Sequence, residues 1–171
     1  MQPSLSPSES RRLLAIYLRD HYGGAGAGLA LIRRCREANR GNEYERVLSD
    51  IEQEIAEDRL SLVSVMDRLD ITPSKLKAVL GRLAEFVGRI KSNGHLTRYS
   101  PSSRVVELEG LAAGVTTKRN LWRALSSVSD IETTIPRREL TTLGDRATAQ
   151  LDVILAAHER AAAEAFGGRA G

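Results

Sequence analysis

Residues 14–35 read "LAIYLRDHYGGAGAGLALIRRC", and their pattern sets the architecture expected for the whole chain. Turned by about 100° per residue, this stretch presents one apolar stripe and a second beside it. The two stripes contain Leu14, Tyr17, Leu18, Ala25, Gly28, Leu29, Ile32 and Cys35, and then Leu13, Ile16, Gly24, Ala27 and Leu31. So wide an apolar arc predicts a helix packed against at least two neighbours, which is typical of a helical bundle.

The glycines inside this stretch are unusual, because glycine in a helix interior costs up to about 1 kcal/mol relative to alanine. Gly24 and Gly28 lie on the apolar arc four residues apart. We expect them to let another helix backbone approach closely. A phosphate-binding loop is disfavoured, since no strand precedes these glycines and no helix begins after them.

Helix starts are marked by a hydroxyl residue before a proline, at Ser6-Pro7, Thr72-Pro73 and Ser100-Pro101. With "NRGN", "SNG" and a Ser/Thr-rich stretch as stops, the pattern predicts five helices, at 7–38, 43–70, 73–92, 101–126 and 137–166. We expect an all-α fold: 1–6 disordered, 7–166 a single helical-bundle domain, and 167–171 a flexible tail.

Composition limits the classes of function. The chain has 171 residues, 42% of them hydrophobic and 4% aromatic, with a formal net charge of +3 and one cysteine. A weakly basic chain of this kind disfavours nucleic-acid binding, and a single cysteine fits a reducing compartment. No signal peptide or membrane span is recognisable, and no motif specifies a reaction. We therefore expect a cytoplasmic, non-catalytic protein with no membrane partner.

Polar side chains interrupt the apolar stripes. His21, Asp58 and His158 fall at stripe centres, and Glu107 lies at a margin. Folding the first two and the last two predicted helices into antiparallel pairs, with 73–92 as a crossover, brings these four residues within about 10 Å of one level. They are candidate metal ligands. Asp20, Glu54 and Lys118 flank them as candidate supporting residues.

Two antiparallel pairs with a long connection and inward polar residues resemble the ferritin-like four-helix bundle. The stretches "LAIYLRDHYGGAGAGLALIRRC", "EIAEDRLSL" and "RYSPSSRVVELEGLAAGVTTKRNLWRAL" also resemble a family of uncharacterised, mainly actinobacterial, helical proteins. The first resemblance implies Fe, Mn or Zn bound by carboxylates and imidazoles. The chain departs from the Glu-x-x-His pattern, because Glu57 follows Glu54 and Leu155 precedes His158. Any metal site would therefore have fewer ligands than the full ferritin-like set.

Three interpretations of the polar residues stay open at this point: a buried hydrogen-bonded network that fixes helix register, a metal site, and a cavity for a small ligand. For function, association as a homodimer or with a protein partner is the main expectation. Outward-facing Leu60 and Val63 on the second predicted helix favour it. The alternatives are a ferritin-like metal-binding protein and, third, a weak nucleic-acid binder through its Arg and Lys faces.

Overall fold

The computed structural model describes residues 6–73 and 99–167, and within these ranges the fold is all-helical. Four α-helices cover most of it: α1 (Pro7–Ala38), α2 (Tyr44–Arg68), α3 (Pro101–Ser126) and α4 (Arg137–Phe166). A short 3₁₀ helix, η1 (Ser129–Ile131), precedes α4 and was not expected from the sequence. Four of the five predicted helices are confirmed to within two residues at each end.

Two of the helices, α1 and α3, begin where their Ser-Pro pairs predict. The Ser6 hydroxyl accepts a hydrogen bond from the Glu9 backbone N–H at 3.3 Å, and Ser100 accepts one from Ser103 at 3.2 Å. Each cap satisfies an N–H that has no partner inside its helix. The α1–α2 connection turns through Gly41, whose φ is +79°, a backbone conformation that glycine adopts without strain.

Contacts at the helix ends define the packing. Arg11 at the start of α1 donates to the Leu69 carbonyl at 3.2 Å, just beyond the end of α2. At the opposite end, Asn39 after α1 donates to the Tyr99 hydroxyl at 2.8 Å, just before α3. Tyr44 at the start of α2 donates to Glu164 near the end of α4 at 2.7 Å. Each helix therefore runs antiparallel to both of its neighbours, with α1 packed on α2 and α3, and α4 packed on α3 and α2.

The core lies between these helices and is mainly aliphatic, as the scarcity of aromatic residues predicts. Leu18, Ile32, Leu48, Leu108 and Ile154 are fully buried. Leu13 and Ile16, by contrast, are 43% exposed, so the described residues do not cover the second apolar stripe of α1 at its start.

Several sequence predictions fall outside the described residues. These are the crossover helix at 73–92 apart from Pro73, the disordered start apart from Ser6, and the tail apart from Gly167. Among the helices that the structure describes, none combines the length and apolarity needed to cross a membrane.

Candidate functional site

Asp58 forms the centre of a buried polar cluster that joins three helices. Its side chain is 2% exposed and makes ion pairs with Lys118 on α3 and Arg146 on α4. Gln150, also on α4, donates to Asp58 Oδ2 at 2.9 Å and accepts from Lys118. A buried carboxylate is tolerated because two cations and an amide surround it.

Lys118 is the partly buried cation of this cluster, with its side chain 16% exposed. Burial lowers the pKa of its ammonium, and the attraction of Asp58 offsets part of that shift. Desolvation therefore makes the Lys118 ammonium more acidic, although the Asp58 carboxylate is in contact with it.

A second polar cluster lies at the end of the bundle where α1 ends and α3 begins. Glu107 is fully buried, and it accepts from the Tyr99 hydroxyl at 3.0 Å and pairs with Arg34 Nε at 3.0 Å. Asn39, also fully buried, accepts from Arg104 Nε at 2.6 Å. This network joins the end of α1 to the start of α3. Of the four polar residues for which a register-fixing network was one open interpretation, it contains Glu107 alone.

The single cysteine lies beside this second cluster. Cys35 is fully buried, and burial together with the nearby Glu107 carboxylate raises the pKa of its thiol to about 12. A protonated, inaccessible thiol is a poor nucleophile. Its role here is packing.

The two predicted histidine ligands lie in different surroundings. His158 is 24% exposed and contacts Glu109 Oε1 at 3.2 Å on the outer side of α3 and α4, so its placement at the centre of a buried stripe was wrong. His21 packs edge-on against Tyr17, with ring centroids 4.5 Å apart. Burial lowers the pKa of the His21 imidazole, and the neighbouring Asp20 offsets part of that shift.

The four predicted metal ligands, His21, Asp58, Glu107 and His158, do not converge. Glu107 lies eleven residues along α3 from Lys118, the partner of Asp58, which separates the two levels by about 16 Å. Across residues 6–73 and 99–167, no group of three or more His, Cys, Asp and Glu side chains could hold a metal ion. These four residues therefore do not form the Fe, Mn or Zn site with fewer ligands that was one of the alternatives. Asp58 and Glu107 are neutralised by cations instead.

A cavity of about 560 Å³ lies between α1, α2 and α3, next to the Asp58 cluster. Its volume is within the range of sites for small organic molecules, about 300–1,000 Å³. Most of its wall is apolar, and its lining comprises Tyr17, Asp20, His21, Gly24, Ala25, Ala27, Gly28, Leu31, Ile55, Asp58, Arg59, Leu62, Gly110, Leu111, Gly114, Val115, Thr117, Lys118, Leu121 and Trp122.

Glycines form part of this wall, and the close helix contact expected at Gly24 and Gly28 is wrong. A Cβ built on Gly24, Gly28 or Gly114 would meet nothing within 4 Å. Neighbouring backbones therefore do not require these glycines. Gly24 and Gly114 are exposed and Gly28 is half-buried, so the lack of side chains there leaves this part of the cavity open, at a cost to the intrinsic stability of both helices.

The cavity is polar at one end and apolar at the other. Its polar half contains all the polar lining side chains together with two leucines: Tyr17, Asp20, His21, Asp58, Arg59, Leu62, Thr117, Lys118, Leu121 and Trp122. The apolar half is formed by the residues from 24 to 31 on α1, by Ile55 on α2, and by the residues from 110 to 115 on α3. Because α1 is antiparallel to α2 and α3, each helix contributes its polar residues at the same level.

Two buried donors in the polar half have no acceptor among the described residues: Arg59 Nε and the indole Nε1 of Trp122. Trp122 is 1% exposed. The Arg59 guanidinium lies 4.5 Å from the ring centroid of Tyr22 and donates to its hydroxyl at 2.5 Å through a different nitrogen. Buried donors without a partner are uncommon and are found where a ligand or water binds.

Sequence reasoning missed Arg146, Gln150, Asn39 and Tyr99. Gln150 was detectable, because the spacing of Leu143, Ala147, Gln150 and Ile154 places it on the buried stripe of α4. Arg146 carried no such signal, since it reaches Asp58 from the edge of that stripe with its side chain 34% exposed. Asp20 is exposed at the cavity, and Glu54 acts on Lys118 only through its charge.

Fold and cavity together define an all-helical protein with a mainly apolar cavity that is open to solvent and polar at one end. Comparisons of the chain with family models, curated proteins and solved structures found no match. The resemblance to ferritin-like and actinobacterial helical proteins therefore stays a prediction.

Proposed function

We propose that this protein is a non-catalytic binding protein that holds a small, largely apolar molecule in the cavity between α1, α2 and α3. The observation that carries the proposal is the glycine wall of the cavity. Gly24, Gly28 and Gly114 occupy helical positions where a side chain would fit, yet none is present. Burial of apolar ligand surface there would contribute about 25 cal/mol per Å².

The unpartnered donors of the polar half support the same proposal. A buried N–H without an acceptor costs about 1–3 kcal/mol, and a ligand acceptor would remove that cost for Trp122 Nε1. The polar groups also converge from three helices, which is the usual composition of an organic-molecule site: an apolar wall with a few fixed polar atoms.

Trp122 makes the proposal directly testable, because it is the one tryptophan of the chain and lines the cavity. Bromine quenches indole fluorescence on contact. We expect saturable, one-to-one quenching of Trp122 by bromine-labelled undecanol and undecanoate below their micellar concentrations. Gly28→Leu should weaken binding at least about tenfold, since its side chain would occupy the apolar half.

Gly26→Leu is the matched control. Gly26 lies on the same helix, its added Cβ would also meet nothing within 4 Å, and it does not line the cavity. This variant should bind as the parent does, with circular dichroism showing that both variants are folded. Quenching that never saturates, or that Gly26→Leu and Gly28→Leu weaken equally, would contradict the proposal.

Association with a second copy of this chain is a second candidate function. Leu13, Ile16 and Tyr17 lie at helical spacing on one face of α1 and are 43%, 43% and 36% exposed. An apolar face of this kind is typical of helix-to-helix association. Leu60, 67% exposed, is a further apolar side chain on α2.

We also propose that the helices are connected in the order typical of ferritin-like bundles. The end of α2 lies beside the start of α1, through Arg11 and Leu69, whereas α3 begins beside the end of α1, through Tyr99 and Asn39. These positions support the expected order of two antiparallel pairs joined across the length of the bundle.

A further inference from the structure

We infer that the ligand is an amphiphile whose anionic, hydrogen-bond-accepting head group lies in the polar half of the cavity and whose hydrocarbon chain lies along the glycine wall. This inference rests on the proposed function and adds the chemical class and the orientation of the ligand.

The shape of the cavity favours an elongated molecule. From Tyr17 to Leu31 the cavity follows α1 for fourteen residues, or about 21 Å. Over the part that begins at Gly24, the α1 lining consists of glycine, alanine and leucine. A hydrocarbon chain matches a wall of this length that offers no polar partner.

The unpaired hydrogen-bonding groups of the cavity indicate the chemistry of the ligand's head group. Arg59 Nε and Trp122 Nε1 are buried donors of the polar half that have no acceptor among the described residues, whereas Asp58 Oδ1, also without a hydrogen bond, is ion-paired with Arg146. Asp58 is the main acceptor nearby, but Lys118, Arg146 and Gln150 already occupy it. The cavity therefore needs an acceptor from the ligand, and a head group that only donates would leave both nitrogens unsatisfied.

The pairing of the charges favours an anionic head. Of the two cations that line the polar half, Lys118 is paired with Asp58, whereas Arg59 has no carboxylate partner among the described residues. Hydrogen bonds from a guanidinium to a carboxylate are about twice as strong as those to a neutral acceptor, so an anionic head is favoured over a neutral or cationic one.

The test compares three ligands of equal chain length: undecanoate, undecanol and undecylamine, measured by calorimetry with the full chain. We expect undecanoate to bind about tenfold more tightly than undecanol, and undecylamine to bind most weakly. Arg59→Met should reduce this preference for the carboxylate several-fold, because undecanoate loses a charge-assisted hydrogen bond and undecanol at most a weaker neutral one. Arg46→Met, an exposed site on α2, is the matched control.

The position of the bromine atom on the ligand then shows how the ligand is oriented in the cavity. With the head beside Trp122, undecanoate brominated next to its carboxylate should quench the indole more strongly at saturation than undecanoate brominated at its far end. Equal affinities for all three ligands, or stronger quenching by the far-end bromine, would overturn this inference and leave the proposed function standing. If none of the three binds, the proposed function itself fails.

Discussion

Asp58 shows how one residue organises the centre of the molecule. At 2% exposure its carboxylate would be prohibitively costly alone, and Lys118 and Arg146 make it tolerable. The sequence located Asp58 on a buried stripe, grouped it with His21, Glu107 and His158, and placed Lys118 beside that group. Arg146 has a long side chain that begins at a stripe margin, so hydrophobic periodicity alone does not identify it.

We expect Asp58→Asn to lower the free energy of unfolding by about 3 kcal/mol, because Lys118 and Arg146 would lose their counterion. Urea denaturation followed by circular dichroism measures this. The triple variant Asp58→Leu/Lys118→Met/Arg146→Met should recover most of the loss, since it removes the carboxylate together with both cations. Asp152→Asn, at an exposed site on α4, is the control and should change stability by less than about 0.5 kcal/mol. A single variant as stable as the parent would show that the cluster is not structurally important.

Among the helices, α1 is unusual in its length and in its glycine content. It spans 32 residues, Pro7–Ala38, and keeps Gly24, Gly26 and Gly28 in its interior. Its length and bounds follow from local signals: the Ser6 cap, the proline at the first position and the Asn39–Gly41 turn. Its glycines do not follow from local signals, because the same Gly-x-x-x-Gly spacing serves either a close helix contact or an open wall.

Replacing these glycines by alanine separates the two roles. We expect Gly28→Ala to raise the free energy of unfolding by about 0.5–1 kcal/mol, because alanine has the higher helix propensity and its Cβ has open space. Gly26→Ala should give the same gain. Thermal and urea unfolding measure both. If Gly28→Ala destabilises while Gly26→Ala stabilises, a backbone approaches Gly28 closely and the cavity wall is misassigned.

For the whole molecule, the uncovered start of α1 is the feature with the widest consequence. Leu13 and Ile16 remain 43% exposed although their helix is otherwise well packed. We expect the chain to self-associate through this face, and the variant Leu13→Ser/Ile16→Ser to shift the protein toward monomer in sedimentation velocity experiments.

Val153→Ser is the matched control for self-association, since Val153 is 44% exposed on α4, the helix diagonal to α1. It should leave the sedimentation coefficient unchanged. A parent protein that sediments as a monomer at every concentration would exclude this role for the α1 face and leave the cavity as the only proposed site of binding.

The amino-acid sequence by itself determined the helical class, the bounds of the four described helices to within two residues at each end and the burial of Asp58, because caps, prolines and hydrophobic periodicity act over a few neighbouring residues. Only the tertiary structure decided which groups meet: Asp58 with Lys118, Arg146 and Gln150, Glu107 with Arg34 and Tyr99, and His158 with Glu109. These pairings depend on how far each helix slides along its neighbour, and a shift of one turn, about 5 Å, exchanges every partner. The cavity between α1 and α3 has the same origin, since its width is set by the spacing of two helices far apart in the chain.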